Sequence, residues 1–433
     1  MFGLTEREVR FAAVICLTHV SQHAFIRLLP PLIPVLSVAL TYPLWKLGLL
    51  ISVFYVGSGL GQAPLGVVAD RYEWSALLVG GIVLSSVCYV VFAVAPLLGG
   101  SVPALAIVGY TFEGTFVLMA ASMFVCGVGT AVVHPVGYPM ITANVSTENK
   151  GTLLGLFGSS AKFGDAVAPI GVGVLILVFD WSTILVIFGG IGIAFGAILF
   201  VVLRGDEFVT APTNPRSEAS VAADEPADDR GSYRYPMVIV YAFFVAKMFA
   251  SNGVNTFVPA FLVSVYGYTM SVGGVQFGAE SVANFYFTAL LVAGAVSQVV
   301  LGVVANRHDP RLVLLLGSMV GTLSLLALGG LSISPGPLLV LMMVLGVSLW
   351  GISPARDAII SEISPAGREG RTFGYFWTGV MLVGALMPVA VGHLIETTGM
   401  RRGFTALAVG TVLAAGLIGL LFTDRVAFEP RQR

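Results

Sequence analysis

Ionisable side chains stand at regular spacings inside stretches of the chain that are otherwise apolar. His19, His23 and Arg27 follow one another at intervals of four residues, so in a helix successive side chains drift by only about 40° and share one face. Lys162 and Asp165 are three residues apart and can pair on one face of another helix. Bases that gather around one acid can bind an anion and exchange a proton.

The balance of these groups favours a negatively charged ligand. Arg27, Lys162 and Lys247 are opposed by Asp165 alone among the central positions, so a cavity between them would have a positive potential. This favours an anionic or zwitterionic organic solute. The amide side chains of Asn252 and Asn255 follow Lys247 in the same apolar stretch and could add hydrogen bonds to the solute. The predicted substrate-binding residues are His23, Arg27, Lys162, Lys247, Asn252 and Asn255.

Asp165 is also the candidate for proton coupling. We expect it to exchange a proton once a substrate anion competes for Lys162, with His23 and His134 as further candidates because histidine is the residue type suited to proton transfer near neutral pH. Two alternatives stay open. Lys162 and Asp165 could form a purely structural ion pair, and His134, which precedes Pro135, could be a satisfied polar group at a helix kink.

The composition indicates an integral membrane protein. Of the 433 residues, 57% are hydrophobic and 10% are charged, whereas soluble domains carry about 25% charged residues. Continuous apolar runs of about 20 residues are long enough to cross a bilayer as helices, unlike the alternating segments of a β-barrel. The sequence therefore predicts an all-α membrane fold with twelve transmembrane helices, here called spans 1 to 12. We place them at 11–38, 46–69, 75–96, 114–141, 151–178, 182–203, 236–262, 278–304, 312–333, 337–361, 371–395 and 403–423.

One polar segment divides the spans six and six. Residues 204–235 are rich in Pro, Ala, Ser and acids and contain few large apolar side chains, so we expect a flexible cytoplasmic linker between the halves 1–203 and 236–433. Most Lys and Arg residues fall in loops on one side, and the other side holds only Lys46, Arg401 and Arg402. This asymmetry predicts a multi-pass protein of the cell membrane with both termini in the cytoplasm.

The two halves repeat each other. The hexapeptide GVVADR at 66–71 returns as GVVANR at 302–307, an offset of 236 (302 − 66). Further along, Gly127 and Pro135 recur as Gly346 and Pro354 at an offset of 219 (346 − 127), and the long loop before span 4 supplies the difference of seventeen residues (236 − 219). The repeat predicts two pseudo-symmetric six-helix halves with the same orientation in the membrane.

The paired hexapeptides resemble the Gly-x-x-x-Asp-Arg loop motif of the major facilitator superfamily. The resemblance covers all twelve spans and implies a secondary active transporter that works by alternating access, with a loop latch on the cytoplasmic side. The second half has Asn306 where the motif has its acid, and Tyr72, Glu73 and Trp74 follow the first motif instead of further bases. The predicted latch residues are Gly66, Asp70, Arg71, Gly302, Asn306 and Arg307.

Two weaker resemblances concern the direction of transport. Span 1, LTHVSQHAFIRLLPPLIPVL, and the segment HPVGYPMITANVSTENKGTLLGLFGSSAKFGDAVAPI resemble the fosmidomycin-resistance branch of the superfamily. Glycines and Pro169 of span 5 resemble a degenerate form of the glycine motif of drug/proton antiporters. Proton-coupled export is therefore favoured, and the alternative is a proton-coupled uptake symporter for an organic anion.

Other classes of function fit the sequence less well. A channel needs an open polar path, and an enzyme needs a clustered nucleophile, base or metal site, whereas the charges are central and sparse and the five histidines are scattered. The cysteines show no spacing typical of a disulfide or metal site. We expect no cofactor, no metal and no nucleic-acid partner for this chain of net charge −1. We expect a monomer whose partners are its solute, protons and lipid.

Overall fold

The computed structural model describes residues 4–107, 109–212, 234–363 and 379–422, and these are mainly helical. It confirms the all-α membrane fold with twelve spans. Within these described residues, eleven helical segments are long and apolar enough to cross a membrane. The remaining one is span 5, which has 26 residues but is more polar because it carries Lys162 and Asp165.

The chain forms two compact units, which are described separately. Unit 1 contains Met1–Leu40 and Leu49–Ala219, and unit 2 contains Thr41–Gly48 and Ser220–Arg433. Spans 1 to 6 are Glu6–Ala39, Leu44–Ala69, Trp74–Ser101, Gly114–Asn144, Lys150–Leu175 and Trp181–Leu203. Spans 7 to 12 are Arg234–Val265, Ala279–Arg307, Pro310–Gly330, Pro335–Ile363, Gly379–Thr398 and Met400–Leu420.

Span 1 is interrupted, although the sequence predicted a continuous helix over 11–38. Its first helix runs over Glu6–Ile26, and a short 3₁₀ helix and a second α-helix, Ile33–Ala39, follow. Pro30 and Pro31 cause the break, because proline has no backbone N–H and disfavours helical geometry in the residue before it. Arg27 is consequently the C-terminal cap of the first helix and not an interior residue.

Spans 4 and 10 are broken at corresponding places, where the sequence predicted continuous helices. Span 4 consists of Gly114–Thr130 and Val133–Asn144. Span 10 passes through a π-helix at Val347–Gly351 before the helix Ser353–Ile363. Pro135 and Pro354 lie in the first turn of the helix after each break, where a missing N–H costs no hydrogen bond.

The internal repeat is visible in the packing of each unit. A Cβ atom on Gly127 would collide with the carbonyl oxygen of Phe54, and one on Gly346 would collide with that of Leu290. Gly346 is 219 positions after Gly127, and Leu290 is 236 positions after Phe54, so the two contacts are related by the offsets found in the sequence. Glycine at these positions allows the backbones of spans 2 and 4, and of spans 8 and 10, to approach closely.

The extra residues of the first half form a β-hairpin. Strands β1, Leu105–Ile107, and β2, Tyr110–Phe112, pair antiparallel with Leu105 opposite Phe112. A second antiparallel hairpin, β3 at Met270–Val272 with β4 at Val275–Phe277, joins spans 7 and 8.

The beginning of the predicted linker is anchored to unit 1. We call residues 204–212 the strap. Asn144, near the end of span 4, donates to the carbonyl of Val209 and accepts from its N–H, both over 2.8 Å. Arg7 donates to the Glu207 carbonyl over 2.8 Å, and Phe208 is buried. The strap is therefore held in place, while 213–233 lie outside the described residues and their flexibility stays a prediction.

Candidate functional site

Asp165 of span 5 is the centre of the polar site in unit 1. Its carboxylate is 4% exposed and accepts hydrogen bonds from three bases. His23 Nδ1 and Arg27 Nε both lie 3.0 Å from Oδ1, and Lys162 Nζ lies 3.5 Å from Oδ2. The sequence predicted the pairing of Lys162 with Asp165, and the structure adds the two bases of span 1.

Close packing of spans 1 and 5 makes these contacts possible. A Cβ atom on Gly164 would lie 2.5 Å from the carbonyl oxygen of Val20 and 2.7 Å from Cβ of His23. A larger residue at 164 would therefore push the two helices apart. Because Asp165 is the next residue, this approach brings its short side chain within hydrogen-bonding distance of span 1.

Arg27 reaches the site from the end of the first helix of span 1. Its Nη1 donates to the hydroxyl of Tyr55 in span 2 over 3.4 Å, in addition to the bond from Nε to Asp165. The break of span 1 at Pro30 thus allows one guanidinium to link spans 1, 2 and 5. Tyr55 was missed by the sequence analysis because nothing in its apolar surroundings marks it as a partner of Arg27.

Lys162 is the most accessible base of the cluster. Its side chain is 34% exposed, compared with 11% for Arg27 and 17% for His23. The 3.5 Å contact with Asp165 is also longer than the usual distance for a charge-assisted bond. The cluster has two permanent positive charges against one negative charge, so it can attract an anion, and Lys162 is the base that an entering anion can reach first.

A group of aromatic rings lies beside the cluster. His19 stacks on Phe157 of span 5 with ring centroids 3.9 Å apart, and its Nδ1 lies 2.7 Å from the Phe157 carbonyl oxygen. The His19 ring is 4.8 Å from that of His23 and 5.2 Å from that of His134. His134, a predicted proton site, is therefore close to the cluster, and no direct bond to Asp165 is seen within the described residues.

The other predicted substrate-binding residues belong to unit 2. Lys247 is 5% exposed and Asn255 is 4% exposed, both within span 7. Asn252 donates to the carbonyl oxygen of Gly384 in span 11 over 3.0 Å. The structure therefore divides the six predicted residues equally between the two units.

The predicted latch residues lie at the ends of spans 2 and 8. Asp70 and Arg71 are exposed in the turn after span 2, and neither forms a side-chain hydrogen bond or ion pair within the described part of the chain. Gly66 packs near Pro135, and Gly302 packs near Pro354 in the same way. Arg307 is exposed, and the side chain of Asn306 lies outside the described residues. The latch stays a prediction.

The family follows from a comparison of the whole chain with known proteins. A sequence model of the Major Facilitator Superfamily matches residues 15–279 and 274–433. The chain belongs to the Major Facilitator Superfamily. The resemblance found in the loop motifs is thereby confirmed at the level of the superfamily. The chain is thus a multi-pass membrane protein and a secondary transporter with a small-molecule substrate.

Relatives of the chain include proteins named for transport of sugar-derived compounds and for multidrug resistance. The chain is 22% identical to a probable L-galactonate transporter of Escherichia coli K12, with 89% of this chain and 83% of that protein covered. It is also 22% identical to a hexuronate transporter of Bacillus subtilis 168, with 92% and 90% covered. A multidrug resistance protein of Dickeya zeae is 32% identical, but over 33% of this chain and 34% of that protein.

Solved structures share the fold. The crystal structure of a D-xylose–proton symporter has a TM-score of 0.74 at 13% identity and covers 95% of this chain and 97% of its own. A bacterial homologue of the human lysosomal transporter Spinster has a TM-score of 0.71 at 15% identity, with 96% and 97% covered. At these identities the likeness concerns the fold alone.

Proposed function

We propose that the protein is a proton-coupled symporter for a small organic anion with several hydroxyl groups, of the sugar-acid kind. The observation that carries the proposal is the carboxylate of Asp165, shared by His23, Arg27 and Lys162. The names of the full-length relatives support the substrate class, since they refer to galactonate and hexuronate.

The shared carboxylate couples proton and solute by competition for the same bases. With Asp165 ionised, the positive charges of Arg27 and Lys162 are partly neutralised by it. A proton on Asp165 removes its charge and releases both bases to bind the carboxylate of a solute. Each of the two ligands therefore increases the affinity for the other, and this reciprocal coupling is required of a symporter.

This argument reverses the preference for export that the glycine motif suggested. In an antiporter the proton and the solute must exclude each other, whereas here an anion and a proton bind best together. With an inward proton gradient the expected direction is uptake. We further propose the cell membrane as its location, cytoplasmic termini, as the distribution of Lys and Arg favours, and a monomer.

The decisive variant is Asp165→Asn in proteoliposomes. Radiolabelled D-glucuronate is the first probe, followed by galactonate and galactarate. We expect the native protein to concentrate the probe when the pH outside is lowered. The amide that replaces the carboxylate cannot release or bind the proton, so the variant should lose accumulation but retain exchange of labelled for unlabelled solute at equal concentrations.

Asp180→Asn is the matched control, because Asp180 is an exposed acid of the same unit outside the cluster, and it should accumulate solute like the native protein. If Asp165→Asn still concentrates the probe against a gradient, Asp165 is a structural partner of the bases and coupling lies elsewhere.

The second candidate is proton-driven export of an amphipathic drug. It rests on the partial match to the multidrug resistance protein. Cells that express the protein would then become resistant to such drugs, and the resistance would depend on the proton gradient. Under the favoured function, expression changes the growth of cells on sugar acids and leaves drug resistance unaltered.

A further inference from the structure

Three polar atoms lie buried at the break of span 4, and no described residue provides a hydrogen-bond partner for them. They are Nε2 of His19, Oε1 of Gln22 and Nδ1 of His134. The side chains of His19 and Gln22 are one helical turn apart in span 1 and are 3% and 5% exposed. A buried polar atom without a partner costs about 1 to 3 kcal/mol, so three such atoms on side chains of two packed spans point to a small polar ligand.

The hydrogen bonds of His19 determine its tautomer. Its Nδ1 lies 2.7 Å from the carbonyl oxygen of Phe157, and a carbonyl oxygen can only accept. Nδ1 must therefore carry the hydrogen. In the neutral ring Nε2 then has a lone pair, so the buried atom of His19 is an acceptor.

Gln22 is oriented by the break itself. Its Nε2 donates to the carbonyl oxygen of Thr130, the last residue of the first helix of span 4. The amide nitrogen is thereby directed at span 4, and the buried Oε1 is a second acceptor whose position is fixed.

His134 completes the group from the other side of the break. It is four residues after Thr130, and its ring is edge-on to that of His19 at 79° and 5.2 Å. Its Nδ1 can be either a donor or an acceptor, depending on the tautomer. Two acceptors of determined orientation and one adaptable nitrogen thus lie where spans 1 and 4 of unit 1 pack together.

We propose that His19, Gln22 and His134 bind one buried water molecule and that this triad is a proton-binding site distinct from Asp165. A water molecule donates two hydrogen bonds and accepts up to two, and buried waters typically have about three partners. Its two hydrogens match the acceptors of His19 and Gln22. Its oxygen then faces His134 and accepts from the Nδ1–H group of that ring.

This arrangement allows His134 to take up a proton without rearrangement. The proton adds to Nε2, and Nδ1 continues to donate to the water in the resulting imidazolium. The titratable groups that face the site are His19 and His23 from span 1 and Tyr138 from span 4, and Phe157 faces it from span 5. Asp165 is linked to them through His23. The role in transport rests on the proton coupling proposed above.

The test is nitrogen NMR of the purified full-length protein labelled with [¹⁵N]histidine, which requires no substrate. The variants His19→Asn and His134→Asn assign the two rings. We expect both neutral rings to carry hydrogen on Nδ1, and His134 to take up a proton on Nε2 as the pH is lowered. Gln22→Leu and His19→Asn each remove one acceptor for the water, so each should shift the midpoint of His134 by about one pH unit.

The control is Asp180→Asn, an exposed acid of the same unit outside the triad, which should leave the midpoint unchanged. Thermal unfolding of each variant checks that it is folded. Hydrogen on Nε2 in neutral His134, absence of a titration, or an unchanged midpoint in both acceptor variants would overturn the proposal. These outcomes do not depend on the transport assay with Asp165→Asn, so a failure of either proposal can be recognised separately.

Discussion

The two units use the same backbone arrangement for different chemistry. In unit 1, Asp165 of span 5 accepts from Arg27 at 3.0 Å. In unit 2, the residue that corresponds to Asp165 is Gly384, 219 positions later. Its carbonyl oxygen accepts a hydrogen bond from Asn252 over 3.0 Å. Asn252 belongs to span 7, the first span of its half as span 1 is of the other, and Met248, one turn before Asn252, also packs against Gly384.

The difference separates what the fold requires from what the site requires. Side chains link the two helices in both units, His23 and Arg27 in unit 1 and Asn252 in unit 2. The link in unit 2 shows that such a contact can be built with a neutral amide. Ionised groups in a membrane interior are costly unless they have partners or face a cavity. The contact between the two helices does not require the acid and bases that unit 1 has there. This supports their assignment to the binding of solute and proton.

The largest expected effect comes from removing Arg27 in unit 1, compared with removing Asn252 in unit 2. Arg27→Leu leaves the buried carboxylate of Asp165 with one base fewer, and we expect a loss of about 3 kcal/mol in the free energy of unfolding. Asn252→Leu removes one neutral hydrogen bond and should cost about 1 kcal/mol. Thermal and denaturant unfolding in detergent would measure both.

The double variant Arg27→Leu with Asp165→Asn is the control for this comparison. It has neither the guanidinium nor the buried carboxylate, so part of the lost stability should return. Equal losses for Arg27→Leu and Asn252→Leu would show that the charges of unit 1 contribute no more than the neutral link of unit 2.

A second prediction concerns the strap, which contacts unit 1 but has no part in the contact between spans 1 and 5. Asn144→Ala removes the paired hydrogen bonds to Val209 and the bond from Arg7. We expect a loss of about 1 to 3 kcal/mol in the free energy of unfolding and faster proteolysis within 204–212.

Deletion of about ten residues from 213–233 should preserve both stability and transport. Loss of assembly in the deletion at normal expression would show that this segment has a structural role.

A smaller effect is expected where spans 6 and 12 begin. Asp180 caps span 6 by accepting from Ser182 and Thr183, and these hydrogen bonds lower its pKa from 3.8 to about 2. Span 12 follows Gly399, whose φ is +86° and which makes no side-chain capping bond. Asp180→Ala should cost about 1 kcal/mol.

The contribution of this cap depends on pH. Since the pKa of Asp180 is lower in the folded protein, its contribution is fully present above about pH 4 and is lost as the pH falls towards 2. Unfolding of the variant and the native protein at pH 7 and at low pH would measure it. A difference that stays constant over this range would contradict the assignment of the cap.

The smallest effect on stability is expected at the loop motifs. Asp70→Asn gives the first half the residue type that the second half has at Asn306. Because Asp70 is exposed, its replacement should change the free energy of unfolding by less than about 0.5 kcal/mol. The latch hypothesis nevertheless predicts a shift between the two access states, measured by labelling cysteines placed at the cytoplasmic ends of the spans. Unchanged labelling would count against the latch.

Much of the site could be predicted because charges inside apolar runs are conspicuous. Lys162 and Asp165 were recognised as a pair from their spacing in one helix. Contacts such as Arg27 with Tyr55, or Gln22 with Thr130, join residues from different spans. Spacing along one helix contains no information on them, although Gln22 could have been noticed as an amide one turn after His19.

The sequence by itself determined that this is a membrane protein with twelve spans, because both depend on local hydropathy. It also determined the internal repeat and the superfamily, because both depend on residue identity at fixed offsets. The tertiary structure decided where the helices break and which bases share Asp165. Prolines make a break possible, but its exact position and geometry depend on packing against neighbouring helices. The partners of Asp165 were decided by the close approach of spans 1 and 5 at Gly164, because hydrogen bonds between helices require distances that only packing sets.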